Sequence, residues 1–97
     1  MFPSVRVSED SIIDLMPRAA APRINAMPGA EGTAGHLVNH VCLAMTQPEY
    51  EKLQQRLEAN GTPPGLLMEQ QFGARGVAPK AFYFRDPDGN IFEARHY

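Results

Sequence analysis

The stretch YFRDPDGNIFE, residues 83–93, contains two runs of strand-forming residues that flank an acidic turn. Aspartate, proline and glycine at 86–89 favour a tight turn, because they readily adopt the backbone angles that a turn requires. The flanking runs 81–85 and 90–97 are rich in apolar and aromatic residues, which predicts a pair of strands. The second strand carries a carboxylate, Glu93, between two apolar residues. That carboxylate either lies on a solvated face or points into a cavity where a negative oxygen is needed.

Another strand is predicted upstream, in HLVNHVCLAM at residues 36–45. Its bulky apolar residues alternate with smaller ones, which is the period-two pattern of a strand. The bulky set suits packing against a helix, whereas His40 and Cys42 lie on the other face. We therefore expect the imidazole and the thiol to point the same way.

The segment TQPEYEKLQQRLEANG, residues 46–61, predicts a helix. Thr46 and Glu49 have the spacing of a capping box, in which each side chain binds an amide that the helix leaves unpaired. Gly61 is suited to end the helix in a left-handed conformation. One apolar stripe follows the helix and is expected to be buried: Tyr50, Leu53 and Leu57.

The remaining segments complete the predicted order of elements. Residues 65–71 are a weaker strand candidate, and residues 72–80, FGARGVAPK, are predicted to form an exposed loop. The order over 36–97 is therefore βαβββ. Residues 1–15 alternate apolar and polar side chains around a polar turn, which predicts a β-hairpin. Residues 16–35, rich in proline, glycine and alanine, are predicted to be a linker. Together these elements predict an α+β fold.

Composition limits the class of protein. A chain of 97 residues forms one small domain. The net charge of −2 and the scattered basic residues give no electrostatic patch for nucleic acid or for an anionic membrane. The single cysteine, Cys42, cannot form an internal disulfide, and no run of residues has the length and hydrophobicity of a membrane span. We therefore expect a cytoplasmic protein.

The stretches NHVCLAM, EYEKLQQRLEANG, FGARG and FYFRDPDGNIFEARHY occur in an order found in one known superfamily. Over residues 36–97 the chain resembles the vicinal oxygen chelate superfamily, which includes glyoxalases, bleomycin-resistance proteins and extradiol dioxygenases. YFRDPDGNIFE is the most specific of the matching stretches. The resemblance implies a βαβββ module that pairs with a second module, so that the two sheets curl around a shared cavity.

The resemblance also implies a set of site residues. Metal-dependent members take a histidine from the first strand and a glutamate from the last strand of each module, and His40 and Glu93 occupy these positions. Asp14 stands where the first module would have its glutamate, either as a third ligand or as a structural remnant. The metal would be zinc, manganese, iron or nickel, which these ligand types do not separate. It would act as a Lewis acid, with Glu93 or a metal-bound water as the catalytic base.

Two further residues are predicted to meet the substrate. Arg75, between two glycines, is expected either at the cavity mouth, where it would bind an anionic group, or as a solvated loop arginine. Cys42 is expected to line the cavity as a small buried thiol and not as a nucleophile, because no base is placed to lower its pKa.

The chain departs from the superfamily in its first module. Residues 1–15 correspond only to the last hairpin of that module, and its first strand and helix have no counterpart. Either the chain is a truncated or split gene product, or a second copy completes the cavity. We expect a homodimer, with exchange of the hairpin between the two copies as one route to it.

The sequence is compatible with three functions. The first is a metal-dependent lyase, isomerase or dioxygenase that acts on a small oxygenated molecule. The second is a metal-free module that binds or sequesters a small molecule, as the drug-binding members of the superfamily do. The third is an inactive fragment that pairs with another chain.

Overall fold

The computed structural model describes residues 3–27, 31 and 38–97. These residues form a two-stranded hairpin, two short helical segments, a longer helix and a four-stranded mixed sheet. The predicted α+β class is therefore confirmed. No helix among the described residues is long and apolar enough to cross a membrane.

Strands β1 (Ser4–Ser8) and β2 (Ser11–Asp14) form the predicted hairpin and pair antiparallel. Nearly every residue of the hairpin is exposed. Large apolar side chains on or next to it are half or more exposed to solvent: Val5, Val7, Ile13 and Leu15. Because an isolated two-stranded hairpin is marginal in water, this region depends on contacts outside itself.

Residues 16–35, predicted to be a linker, begin with helical structure. A 3₁₀ turn over Arg18–Ala20 leads into α1 (Ala21–Asn25). Two residues of these turns, Ala20 and Ile24, are buried and pack against neighbouring methionines. Residues 28–30 and 32–35 of the predicted linker lie outside the described residues.

Strand β3 (Val41–Met45) is shorter than the predicted strand over 36–45. Residues 38–40 precede it without strand pairing, and residues 36 and 37 lie outside the described residues. His40 therefore sits at the entrance to the strand, one residue before the ladder begins.

Helix α2 (Gln47–Ala59) follows directly and has both hydrogen bonds of the predicted capping box. The Thr46 hydroxyl accepts from the Glu49 amide at 3.3 Å, and the Glu49 carboxylate accepts from the Thr46 amide at 3.3 Å. The chain leaves the helix through Gly61 at a φ of 76°, a left-handed conformation that glycine adopts without steric cost. Capping thus fixes where the helix begins, immediately after the strand that carries Cys42.

The predicted loop over 72–80 is wrong. Strands β4 (Leu67–Gly73) and β5 (Gly76–Arg85) run through it and leave only a two-residue turn. Glycine and proline indicate a loop because proline removes a ladder donor. The structure accommodates Pro79 where the pairing passes from Glu69–Lys80 to Gln71–Ala78, with the residue between them in the partner strand, Gln70, at a φ of 54°.

Strand β6 (Ile91–His96) follows the predicted turn and completes a sheet of order β3-β6-β5-β4. Strand β3 runs parallel to β6, and the other neighbours are antiparallel. The Asp86 carboxylate accepts from the backbone amides of Asp88 at 3.0 Å and Asn90 at 2.8 Å. Asp86 therefore has the predicted turn-forming role.

The core lies between helix α2 and one face of this sheet. Phe82 is fully buried and packs with Tyr50 and Ala94, and partly buried residues surround them: Met45, Leu53, Leu57 and Phe84. Burying a side chain such as Phe82 contributes about 1.5–3 kcal/mol before entropy is counted. The apolar stripe predicted for the helix is therefore correct, and it leaves the opposite face of the sheet free to carry polar groups.

Candidate functional site

Strand alternation places Glu93 and Arg95 on the face of the sheet opposite helix α2. Their neighbours Ala94 and His96 lie on the helix side, where Ala94 joins the core and the His96 ring packs on Tyr50. In the ladders, Glu93 is the partner of Cys42 in β3 and of Tyr83 in β5. A polar group of five residues results, called here the Glu93 cluster: His40, Cys42, Tyr83, Glu93 and Arg95.

His40 meets Glu93 as predicted. Its Nε2 atom lies 3.5 Å from Glu93 Oε1, and its ring contacts the Tyr83 ring edge-on with 5.1 Å between centroids. On its other side, His40 Nδ1 lies 2.7 Å from Asn39 Oδ1. The imidazole is therefore held between an amide and a carboxylate, while about a quarter of its side chain stays exposed.

Arg95 is the second partner of Glu93, and the sequence analysis did not identify it. Its Nε atom donates to Glu93 Oε2 at 2.8 Å and its Nη2 atom donates to the same oxygen. Its Nη1 atom donates to the backbone carbonyl of Phe72 at 3.0 Å. Arg95 and Glu93 are both buried, at 7% and 3% exposure, so each charge depends on the other for compensation.

Gly73, at the end of β4, makes room for this arginine. A side chain at Gly73 would collide with the Arg95 guanidinium and would also meet the Tyr97 hydroxyl. The absence of a Cβ atom thus lets the guanidinium reach the carbonyls of β4. One signal in the sequence fits this role, since glycine inside a strand often marks a close approach.

The surroundings of Glu93 keep it ionised. Burial acts to raise the pKa of this carboxyl, but hydrogen bonds from His40 and Arg95 outweigh burial and lower the pKa to about 2. A carboxylate with so low a pKa is a weak base at neutral pH. The predicted role of Glu93 as catalytic base therefore gains no support from its environment.

The thiol and the phenol of the cluster are neutral at pH 7. Desolvation and the negative charge of Glu93 raise the pKa of Cys42 to about 12, and the thiol donates to Glu93 Oε2 at 3.2 Å. The same two causes raise the pKa of Tyr83. Cys42 is exposed and not buried as predicted, because β3 is an edge strand of the described sheet. Its raised pKa nevertheless agrees with the prediction that it is no nucleophile.

An open cleft of about 270 Å³ adjoins the cluster at His40. It runs between the start of β3 and the turn that joins β5 to β6. We call it the His40 cleft. Apolar and polar side chains line it together, with Gly89 at the turn: Val38, Asn39, His40, Val41, Arg85, Asp88, Asn90, Ile91 and Phe92. His40 is therefore the member of the Glu93 cluster that lines this cleft and joins it to the buried Glu93–Arg95 pair.

Arg75 and Asp14, the other predicted site residues, have different partners. Arg75 donates to Asp10 in the hairpin turn at 2.9 Å, and its guanidinium lies 5.8 Å from the centre of the Tyr97 ring. Asp14 is exposed on β2 and accepts from the Ser4 hydroxyl. The structure therefore ties Arg75 to the hairpin and not to the His40 cleft.

A resident metal ion does not fit the described residues of one chain. Within residues 3–27, 31 and 38–97, no three side chains of the metal-ligating types converge. In the Glu93 cluster, His40 and Cys42 both approach Glu93, but these three side chains do not converge on a common point. Glu93 is in addition occupied, because Oε1 faces His40 and Oε2 accepts from Arg95 and Cys42. A cation there would compete with the guanidinium.

Comparisons with protein-family models, with curated proteins and with solved structures find no match to this chain. The resemblance to the vicinal oxygen chelate superfamily therefore rests on the sequence stretches alone and stays a prediction.

Proposed function

We propose that this protein binds a small oxygenated molecule in the His40 cleft, without a resident metal ion. One observation carries the proposal: His40 links the buried Glu93–Arg95 pair to an open cleft with apolar walls. Small-molecule sites commonly combine apolar walls with a few well-placed polar groups. In the His40 cleft these polar groups are Asn39, His40, Arg85, Asp88 and Asn90, and the Glu93 cluster holds His40 in position.

Three members of the Glu93 cluster are poorly suited to proton transfer at neutral pH. Cys42 and Tyr83 keep their protons at neutral pH, and Glu93 stays ionised. None of these three groups titrates near pH 7, where an acid or base works best. Both ring nitrogens of His40 already face Glu93 and Asn39, so the imidazole is a fixed part of the cleft wall that contacts the ligand through its ring.

We further propose that a second copy of the chain closes the site, in a glyoxalase-like arrangement of two modules. Support comes from apolar side chains that one chain leaves uncovered on the hairpin and on both edge strands of the sheet, among them Val7, Ile13, Val41, Leu43 and Phe72. Exposed apolar surface on both regions favours association. In a symmetric dimer, the hairpin of each copy would cover the exposed edge strands of its partner.

Thermal shifts with a panel of small ketones, lactones, diols and aromatic alcohols test the proposal. We expect at least one class to stabilise the protein equally with and without a chelator. His40→Ala should abolish this stabilisation. Lys52→Ala is the matched control, since Lys52 lines a separate depression on the outer side of α2. An unfolding temperature that no compound of the panel changes would contradict the proposal.

The lyase, isomerase or dioxygenase activity implied by the resemblance is the alternative. The approach of His40 to Glu93, the pair expected as ligands, is the observation in its favour. It requires Arg95 to leave Glu93 or a second copy to add ligands. Elemental analysis after expression with added zinc, manganese, iron or nickel distinguishes the two functions: one tightly held ion per site, lost in His40→Ala, would establish the alternative.

A further inference from the structure

We infer that Tyr97 is a positioning residue that connects the N-terminal hairpin to the Glu93–Arg95 pair. Through this connection, the docking of the hairpin regulates how firmly the wall of the His40 cleft is held. The inference rests on the proposed function, since a regulated wall matters only if the cleft takes a ligand. It adds a residue outside the Glu93 cluster and a route by which a partner at the hairpin acts on the site.

The Tyr97 hydroxyl lies beside the guanidinium of Arg95. Both groups lie over Gly73, where a Cβ atom would collide with Arg95 Nη1 and come within 2.6 Å of the Tyr97 hydroxyl oxygen. Burial acts to lower the pKa of Arg95, whereas its hydrogen bonds to Glu93 and to Tyr97 raise the pKa. Of these two partners, Glu93 is buried and Tyr97 is exposed. Tyr97 is therefore the outer contact of the buried pair.

The ring of Tyr97 meets a residue that the hairpin binds. The Arg75 guanidinium lies 5.8 Å from the ring centre, which is within the range of a cation–π interaction. Arg75 Nε in turn donates to the Asp10 carboxylate at 2.9 Å, in the turn between β1 and β2. An unbroken series of contacts thus leads from the hairpin to the buried pair: Asp10, Arg75, Tyr97, Arg95 and Glu93.

The hairpin is the element of this series that has two accessible positions. Arg75 and Asp10 are both more than half exposed, and the hydrogen bond from Arg6 to the Ala74 carbonyl at 3.1 Å is exposed as well. Such contacts contribute little, so a docked and an undocked hairpin differ little in free energy. A second copy that covers the hairpin, as proposed above, would shift the balance between these two states.

At the other end of the series, Glu93 holds the residue that lines the cleft. Its Oε2 atom accepts from Arg95, and its Oε1 atom lies 3.5 Å from His40 Nε2. A loosened guanidinium leaves the buried Oε2 atom short of a donor, which is destabilising unless the carboxylate moves or gains water. Because His40 is bound to the same carboxylate, undocking of the hairpin loosens the wall of the cleft and docking makes it firmer.

Nuclear magnetic resonance of the Arg95 side chain tests the connection without a ligand. The Arg95 Nε–H group donates to Glu93 at 2.8 Å and gives a signal of its own in nitrogen–proton correlation spectra. We expect Asp10→Asn to move this signal towards the position of a solvent-exposed arginine, because the undocked hairpin becomes more populated. The ring signal of His40 should move in the same variant.

Tyr97→Phe removes the hydroxyl and keeps the aromatic ring. In this background, Asp10→Asn should leave the Arg95 and His40 signals where Tyr97→Phe alone places them, which is a non-additive double-mutant cycle. A direct effect of the lost Asp10 charge would persist without the hydroxyl, so the cycle separates the two causes. Glu51→Gln, on the outer face of α2, is the matched control for a change of charge and should move neither signal.

The outcomes separate this inference from the proposed function. If Asp10→Asn leaves the Arg95 signal in place, or moves it equally far with and without the Tyr97 hydroxyl, the role of Tyr97 is wrong. If the Arg95 signal moves as expected but the His40 signal does not, the regulation of the cleft is wrong. The proposed function is judged by the thermal-shift panel and His40→Ala, neither of which depends on Tyr97.

Discussion

The N-terminal hairpin and the four-stranded sheet are both made of β-strands, yet they bury very different amounts of surface. The hairpin residues Val5, Val7 and Ile13 are half or more exposed, whereas Phe82 and Ala94 in the sheet are fully buried. The difference is the helix: α2 covers one face of the sheet, and no described helix covers the hairpin in the same way. A strand pair with alternating apolar residues therefore becomes a stable layer only when something packs on it.

The two regions also hold polar groups differently. In the sheet, Glu93 and Arg95 are buried together and their positions are fixed by three strands. At the hairpin, the contacts are exposed: Arg75 with Asp10, and Arg6 with the carbonyl of Ala74 at 3.1 Å. Exposed ion pairs contribute little, because water and salt screen them. The sheet is thus suited to hold a site, whereas these exposed contacts bind the hairpin to the sheet only weakly.

The largest expected effect is a contrast between Phe82→Ala and Ile13→Ala. Phe82→Ala should lower the free energy of unfolding by about 3–5 kcal/mol at any protein concentration, because it leaves a cavity in the core. Ile13→Ala should have an effect that grows with protein concentration, because in the proposed dimer a second copy covers that residue. Urea unfolding at two concentrations checks both. A concentration-independent loss of similar size in both variants would contradict the contrast.

Gly73→Ala should lower the free energy of unfolding by about 1–3 kcal/mol, the usual cost of adding a methyl group where there is no space. The new Cβ would push the Arg95 guanidinium away from Glu93 and from the carbonyls of β4. Val77→Ala, across the turn and more than half exposed, is the control and should change stability little. Thermal unfolding compares the stability of both variants. A Gly73→Ala protein as stable as the unmodified one would show that Arg95 is not confined as described.

Glu93 should make the protein less stable in acid. Its pKa is about 2 in the folded chain, below the ordinary 4.5, so its contribution is complete above pH 4.5 and is lost as the pH falls towards 2. Glu93→Gln should flatten the fall in this window by at most about 1.4 kcal/mol per pH unit. Asp86, whose pKa is also lowered by its turn hydrogen bonds, keeps a residual slope in both proteins. Urea unfolding across the window tests this, and identical slopes would contradict it.

The smallest expected effect is at the hairpin. Asp10→Asn should cost about 0.2–1 kcal/mol at low salt, and less in high salt, because the ion pair with Arg75 is exposed. Glu51→Gln on the outer face of α2 is the control for a general change of charge. Unfolding measured at low and high ionic strength compares the two. A larger loss of unfolding free energy that salt does not reduce would mean that the hairpin interacts with the sheet more strongly than these contacts indicate.

Local sequence signals predicted much of the fold. The capping box at Thr46 and Glu49 and the Asp86 turn have the predicted hydrogen bonds, because such signals depend on a few neighbouring residues. The predicted loop over 72–80 is wrong because glycine and proline are local loop signals, whereas the pairing of β5 with its neighbouring strands is not visible in the local sequence. The ladder to β4 supports β5 on both sides of Pro79, the ladder to β6 supports residues 80–85, and no local pattern reveals that support.

The candidate site was predicted only in part. The meeting of His40 and Glu93 was predicted, and the structure places them 3.5 Å apart. Arg95 was missed, because its contacts depend on the strand order, which places β4 one strand beyond β5 and within reach of the guanidinium on β6. One available signal was the spacing of Glu93 and Arg95, two residues apart on a strand and therefore on the same face. Asp14 and Arg75 were assigned by position, and their contacts in the structure lie elsewhere.

Sedimentation velocity at micromolar concentration tests the central claim most directly, namely that a second copy covers the exposed hairpin and closes the site. We predict a single species of about twice the chain mass of 10.7 kDa for the unmodified protein, and a monomer for Ile13→Asp, which places a charge on the covered surface. Asp10→Asn should sediment as the dimer. A compact monomer for the unmodified protein, or a dimer that Ile13→Asp leaves intact, would contradict the account.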